Sequence, residues 1–254
     1  MRAESVETRA NRIRLLHIED DSGIADVLRI ALTGEGYEVV KAPSGTSGLD
    51  MVYQVLPHVV LLDINMPIMS GFNVLEALRA HSALRERPII CVTAMTSRDD
   101  VERAFELGCY GYVFKPVNLH ILTALIQYYT EGGSEEVKMS ALLGEQAFAR
   151  AALAVDSGVD DLLKLETIRV LQRAAQGADA GMLAEVLSST TDRVRIASDE
   201  LVEAGMFAKG PTGRYALNED PAVAEKIEKI TLVARNEDTK VAFVNLAYLG
   251  ILQD

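Results

Sequence analysis

Four places in the first half of the chain carry side chains suited to chemistry on an anionic group: the run Glu19-Asp20-Asp21, then Asp63, Thr93 and Lys115. Carboxylates supply the hard oxygen ligands that a divalent cation prefers. A carboxylate that attacks a phosphoryl group meets like charge, so it needs a metal and a fixed cation beside it. A hydroxyl can donate to an oxygen of the transferred group. Taken singly, each residue has a plainer use: an acid caps the next helix, a Thr lines a turn, a Lys is solvated. The set means something only if the fold brings its members together.

The elements that must position them can be read from the pattern. Between Arg14 and Tyr129 short β-rich runs alternate with helical stretches. The runs are RLLHI (14–18), YEVVKA (37–42), HVVLLD (58–63), PIICVT (88–93) and YGYVF (110–114). Helices are predicted to begin near Gly23, Gly45, Gly71, Asp99 and Asn118. Consecutive apolar residues such as VVLL and IICV indicate strands buried on both faces. The expected architecture is α/β, a doubly wound five-stranded parallel sheet. In such sheets ligands gather beyond the carboxyl ends of the strands. All four chemical positions fall at strand ends, so an acidic cluster, a lone Asp, a hydroxyl and a Lys converge on one rim.

Composition narrows the function classes. The 254 residues are 49% hydrophobic and 24% charged, enough for one large or two ordinary globular domains. The formal charge of −12 divides into −7 for residues 1–137 and −5 for 138–254, so neither half coats nucleic acid by bulk electrostatics. No apolar stretch has the length of a membrane span or a signal peptide, and a cytoplasmic protein is expected. Cys91 and Cys109 lie in apolar runs and read as buried thiols rather than a disulfide or metal pair.

The strings LLHIEDD (15–21), LLDINMPIMSG (61–71), CVTAM (91–95) and GYVFKP (111–116) resemble the receiver family of two-component response regulators over about residues 13–130. The intervals of 43 residues from Asp20 to Asp63, 30 to Thr93 and 22 to Lys115 also look like the family's. The resemblance implies that Asp63 accepts a phosphoryl group from a histidine kinase or phosphotransfer protein, with Mg²⁺ as cofactor. Asp20 and Asp63 are then direct ligands, the Asn65 backbone carbonyl a third, and Glu19 a ligand through water. Asp21 is expected to cap a helix. Lys115 and Thr93 would hold phosphoryl oxygens, the peptide before Pro116 is cis in many relatives, and Tyr112 is the aromatic that follows Thr93 in the switch. A face made by the fourth helix, fifth strand and fifth helix would mediate phosphorylation-dependent self-association. Beyond its own phosphorylation and dephosphorylation no enzyme activity is implied. The rival for this half, a hydrolase of the haloacid-dehalogenase type, needs an acid two residues after its nucleophile. That position here is Asn65.

The second half reads differently. EGGSEE (131–136) looks like a hinge, and KMSALLGEQAFARAALAV (138–155) like a helix packed between the halves. LETIRVLQRAA (165–175), AGMLAEVLS (180–188) and TDRVRIASDELVEAG (191–205) form a helix-turn-helix pattern closed by Gly205, with a capping box expected from Ser189 to Asp192. MFAKGPTGRYAL (206–217) is a predicted hairpin. The whole is similar to a winged helix-turn-helix, mostly α. Arg193, Arg195, Lys209 and Arg214 would contact double-stranded DNA, although the same four residues amid Asp192, Asp199 and Glu200 also describe a solvated surface. Val223-Ile227-Ile230 and Val241-Val244-Tyr248-Ile251 have amphipathic spacing and would pack on this domain or support a homodimer.

The expected domains are therefore a disordered extension (1–12), a receiver (13–130), a linker and connecting helix (131–164) and an output domain (165–254). The expected function is phosphorylation-triggered DNA binding and transcriptional control. The alternatives are a winged helix that binds a partner protein instead of DNA, and a pure phosphorelay intermediate.

Overall fold

The structure is a computed structural model that describes residues 12–82, 84–130, 145–174, 176–233 and 237–249. The expected extension and the EGGSEE hinge fall almost wholly outside those residues. The chain divides into two compact units, Met1–Leu142 and Leu143–Asp254.

Among the described residues of the first unit five strands alternate with five helices. In chain order these are β1 (Arg14–Ile18), α1 (Ser22–Gly34), β2 (Glu38–Ala42), α2 (Gly45–Val55), β3 (Val59–Leu62), α3 (Gly71–Ala80), β4 (Ile89–Thr93), α4 (Arg98–Glu106), β5 (Gly111–Phe114) and α5 (Leu119–Thr130). The sheet is wholly parallel in the order β2-β1-β3-β4-β5. Every residue of β3, β4 and β5 is buried, as their unbroken apolar runs require of strands covered on both faces. Helix starts follow local chemistry: Asp21, Ser44, Ser70 and Ser97 each accept a backbone N–H of the first turn of α1, α2, α3 and α4. The capping role expected of Asp21 is therefore what the structure shows, with bonds of 2.8 and 3.0 Å from Gly23 and Ile24.

The strands deliver the chemical residues through the backbone. Just past each strand end, the next amide bonds to the neighbouring strand: Glu19 N–H to the Ala42 carbonyl (3.0 Å), Asp63 N–H to Ile18 (3.0 Å) and Lys115 N–H to Thr93 (2.9 Å). Three of the site's side chains are thus rooted in sheet hydrogen bonds rather than on free loops. The loop after Asp63 is held down by α3, whose Val74, Leu75 and Leu78 are buried, each contributing about 1.5–3 kcal/mol. Gly71 opens this helix because a Cβ there would lie 2.2 Å from the Asp63 carbonyl oxygen.

The second unit contains α6 (Glu145–Val155), α7 (Leu162–Leu171), α8 (Ala180–Val186), α9 (Thr191–Glu203), β6 (Phe207–Lys209), β7 (Tyr215–Leu217), α10 (Pro221–Thr231) and α11 (Glu237–Leu249). β6 and β7 form an antiparallel hairpin, and β7 also bridges to Ala178. Gly205, at φ 73°, ends the turn after α9 as expected. The cap of α9 differs from the sequence expectation. The helix starts at Thr191 as expected, but Ser188 is left-handed (φ 48°), and Thr190 rather than Ser189 accepts from the Arg193 amide. The buried Ser189 hydroxyl makes no hydrogen bond among the described residues. α6 packs on α11 within this unit. In α11 every residue from Val241 to Leu246 is buried, a wider apolar surface than the single stripe read from Val241, Val244 and Tyr248. Ile251 lies outside the described residues.

Candidate phosphoacceptor site

Glu19, Asp20 and Asp63 place carboxylate oxygens within 4.8 Å of one another at the carboxyl end of the sheet. Glu19 and Asp63 are 2% and 4% exposed, whereas Asp20 faces solvent. Lys115 reaches in from the end of β5, and its ammonium donates to Glu19 Oε2 at 2.6 Å and to Asp63 Oδ2 at 2.7 Å. The other Asp63 oxygen accepts the Asn65 amide at 3.0 Å, and the Thr93 hydroxyl also bonds to this carboxylate. The peptide between Lys115 and Pro116 is cis.

These contacts separate the two buried acids. Burial pushes the Asp63 carboxyl up, but bonds from Lys115, the Asn65 amide and Thr93 together outweigh it and hold it below the usual Asp range. In Glu19 burial prevails over Lys115, and the carboxyl sits above the usual Glu range. Burial opposes the charge on Lys115 as well, and its two carboxylate partners more than restore it. The acid that must be ionised to attack an electrophile is therefore the one whose ionised form the site favours. Three carboxylates with one exposed side can hold a divalent cation, which prefers oxygen ligands and retains some water.

Behind the site, Thr93 is fully buried and its hydroxyl accepts the Met95 amide at 3.3 Å. The next carbonyl contact leads to Tyr112: this ring is fully buried, its hydroxyl donates to the Met95 carbonyl at 2.9 Å, and it lies against Phe105 of α4. Burial pushes the Tyr112 phenol above its ordinary range, so it stays protonated. Tyr110 makes separate contacts, with Arg79 and Tyr129. Thr93 and Tyr112 thus share a partner residue, Met95, which the sequence reading passed over.

With this geometry in place, the response regulator receiver domain family matches residues 15–127. Those residues form a response regulator receiver domain. A receiver is a component of two-component signalling and not a conventional enzyme. The relatives include the transcriptional regulatory protein AfsQ1 of Streptomyces coelicolor, 36% identical over 148 residues, covering 58% of this chain and 64% of that protein. They also include the DNA-binding response regulator MtrA of Mycobacterium tuberculosis, 37% identical over 116 residues, covering 46% and 50%. The chain spans about half to two thirds of the length of these relatives. Among solved structures, the chemotaxis protein CheY4 of Vibrio cholerae is 29% identical, covers 46% of this chain and 98% of its own, and has a TM-score of 0.45. No helix among the described residues is long and apolar enough to cross a membrane.

In the second unit the basic residues singled out by sequence are mostly engaged. Arg195 pairs with Asp192 at 3.3 Å and lies 3.9 Å from Asp199, while Lys209 of β6 reaches Asp199 at 2.6 Å. The Tyr215 hydroxyl donates to Asp199 at 2.8 Å. Arg214 donates to the Gly177 carbonyl at 2.7 Å. Arg193 is exposed in the first turn of α9. Asp199 therefore joins the third helix to the hairpin, a role hidden from sequence because its partners lie 4, 10 and 16 residues away. Lys164, nearly buried, ties α7 to α9 through Glu200 at 2.8 Å.

Proposed function

We infer that the chain is a phosphorylation-controlled regulator in which Asp63 takes a phosphoryl group from a histidine kinase or phosphotransfer protein. The observation that carries this is the Lys115 ammonium shared by Glu19 and Asp63, with Thr93 and the Asn65 amide on the same Asp63 carboxylate. Asp20, Asp63 and the Asn65 carbonyl would bind Mg²⁺, with Glu19 acting through a water. The metal supplies charge neutralisation of the attacking carboxylate and of the phosphoryl oxygens. Asp63, held ionised, attacks the phosphorus of the donor's phosphohistidine, whose P–N bond breaks as the imidazole leaves and takes up a proton from solvent; Lys115 shifts from carboxylate to phosphoryl oxygen, and Thr93 follows with its hydroxyl. Its departure from the Met95 amide loosens the residue whose carbonyl accepts the Tyr112 hydroxyl, and this carries the change to the α4–β5 side. An open, mainly apolar groove of ≈ 650 Å³ beside Lys115, lined by Ile24, Val27 and Leu28 of α1 and by Pro116, Val117 and Leu119, suits the approach of the donor.

The output reading is binding of double-stranded DNA by the second unit, as a homodimer, in the cytoplasm. It draws on the order of three helices and a hairpin, and on the names of the relatives. Arg193, Arg195, Lys209 and Arg214 are its contact residues. A second reading, docking of a protein partner, is favoured by a specific observation: Arg195 and Lys209 are neutralised by Asp192 and Asp199, and Met182, Val186 and Ile196 are exposed on α8 and α9.

Acetyl phosphate with Mg²⁺ tests the first step. The wild type is expected to gain one phosphoryl mass and Asp63→Asn none, with circular dichroism unchanged because Asn is nearly isosteric. Equal labelling of the variant would place the acceptor elsewhere.

A further inference from the structure

His17 is the fourth of the five residues of β1 and has no exposed surface, and neither ring nitrogen makes a hydrogen bond among the described residues. In the sheet it is flanked by Lys41 of β2 and Leu61 of β3. An imidazole buried in this way forfeits its hydration and receives nothing back. A leucine, like Leu15 two residues earlier on the same face, would avoid that cost. A polar group that is orphaned in one state of a switch can be partnered in another.

Its partner in that other state is close. His17 Nε2 is 3.8 Å from Glu19 Oε2, beyond hydrogen-bond range by less than 1 Å. The hydrogen-bond inventory of Glu19 is short. Oε1 accepts the Asp21 amide at 3.3 Å, and Oε2 accepts Lys115 at 2.6 Å. The same ammonium also serves Asp63. When Lys115 turns to a phosphoryl oxygen on Asp63, Oε2 loses its donor while remaining buried. Among the described residues, His17 is the other basic side chain within ion-pair distance of that oxygen.

We propose that His17 is a positioning residue for Glu19: its Nε2–H takes over Oε2 when Lys115 leaves, and holds the carboxylate in place toward the metal. This rests on the phosphoryl-transfer reading of the site. It makes the imidazole a cost to the resting protein and a gain to the loaded one. Packing alone predicts a different pattern, in which a replacement alters stability with and without ligand alike.

The full chain, wild type and with His17→Leu or His17→Gln, is titrated with Mg²⁺ in the presence of beryllofluoride, a phosphoryl mimic, by calorimetry. The metal-free melting temperature is measured beside it. His17→Leu is expected to melt no lower than the wild type without metal, yet to bind the mimic about tenfold more weakly, the lower end of the loss usual for a group that orients a metal ligand. Gln, which can place an N–H where Nε2 stands, restores binding to within about threefold of wild type on the same scale. His17→Val repeats the comparison if Leu does not fold. Wild-type affinity in the Leu and Val variants, or equal weakening by Leu and Gln, overturns the proposal while leaving the phosphoryl reading intact. A wild type that takes neither Mg²⁺ nor beryllofluoride overturns both.

Discussion

At the scale of single residues, Asp63 and Glu19 show how one ammonium can serve two acids with opposite results. Both are buried and both touch Lys115, but only Asp63 has two further donors, and only Asp63 is held below its ordinary range. Role follows from the number of hydrogen bonds and not from burial. His58, at the opposite rim of the sheet, gives a cleaner titration. Its Nδ1 accepts the Arg14 amide at 2.9 Å, and burial, followed by the charges of Arg14 and Arg87, lowers its pKa from the ordinary 6.5. A His with a depressed folded pKa resists protonation that the unfolded chain accepts, so it withdraws stability as pH falls below about 6.5. Urea unfolding from pH 7 to 5 is expected to show a shallower decline for His58→Gln than for wild type. Identical slopes would mean that the histidine titrates normally in the fold.

Elements account for both what the sequence disclosed and what it withheld. All five strands and the helices between them were legible, because buried parallel strands are apolar on successive residues and each helix opens on a Ser, Asp or Gly. The convergence of Glu19, Asp63, Thr93 and Lys115 was legible too, since all four end strands of one parallel sheet. His17 was not: inside LLHI it resembles a strand residue, and its nearness to Glu19 needs the pleat to be known. The start of α9 at Thr191 was legible, but its cap was assigned one residue early, to Ser189 instead of Thr190, because the left-handed turn at Ser188 has no marker such as Gly. The link through Asp199 was invisible for the reason that ion pairs between a helix and a hairpin have no period. Asp199→Ala should therefore act on two elements at once. It removes the Tyr215 hydroxyl bond, costing about 1 kcal/mol in thermal stability, and it releases Lys209, while Arg195 keeps its closer partner Asp192. If the second unit binds duplex DNA, anisotropy at low salt should show tighter binding by severalfold, because one cation becomes available to phosphates and one repelling carboxylate is gone. Weaker binding would assign Asp199 to ordering the hairpin for its ligand instead.

For the whole molecule, the two units have different kinds of chemistry: one has a site of coupled buried charges, the other a surface of paired ones. The expected link between them is assembly. Sedimentation velocity with Mg²⁺ and beryllofluoride should show a shift toward dimer that Asp63→Asn does not make, and two second units on one duplex would raise apparent affinity by about 10² to 10⁴ through effective concentration. An unchanged sedimentation coefficient would put the link within one chain. The Lys115 bridge constrains the form that any such link can take. Three carboxylates and one ammonium leave the resting cluster at two negative charges. A bound divalent cation cancels them, and turning a carboxylate into an acyl phosphate then adds about one. A change of about one charge, seated beside a metal and a lysine, fades within a Debye length of roughly 8 Å at physiological salt. The modified receiver therefore looks almost the same to a distant charge as the unmodified one. On the proposed phosphoryl-transfer reading its message would leave by contact, through the displacement of Thr93 and Tyr112, and salt should alter how strongly the partners grip without altering whether the signal is sent.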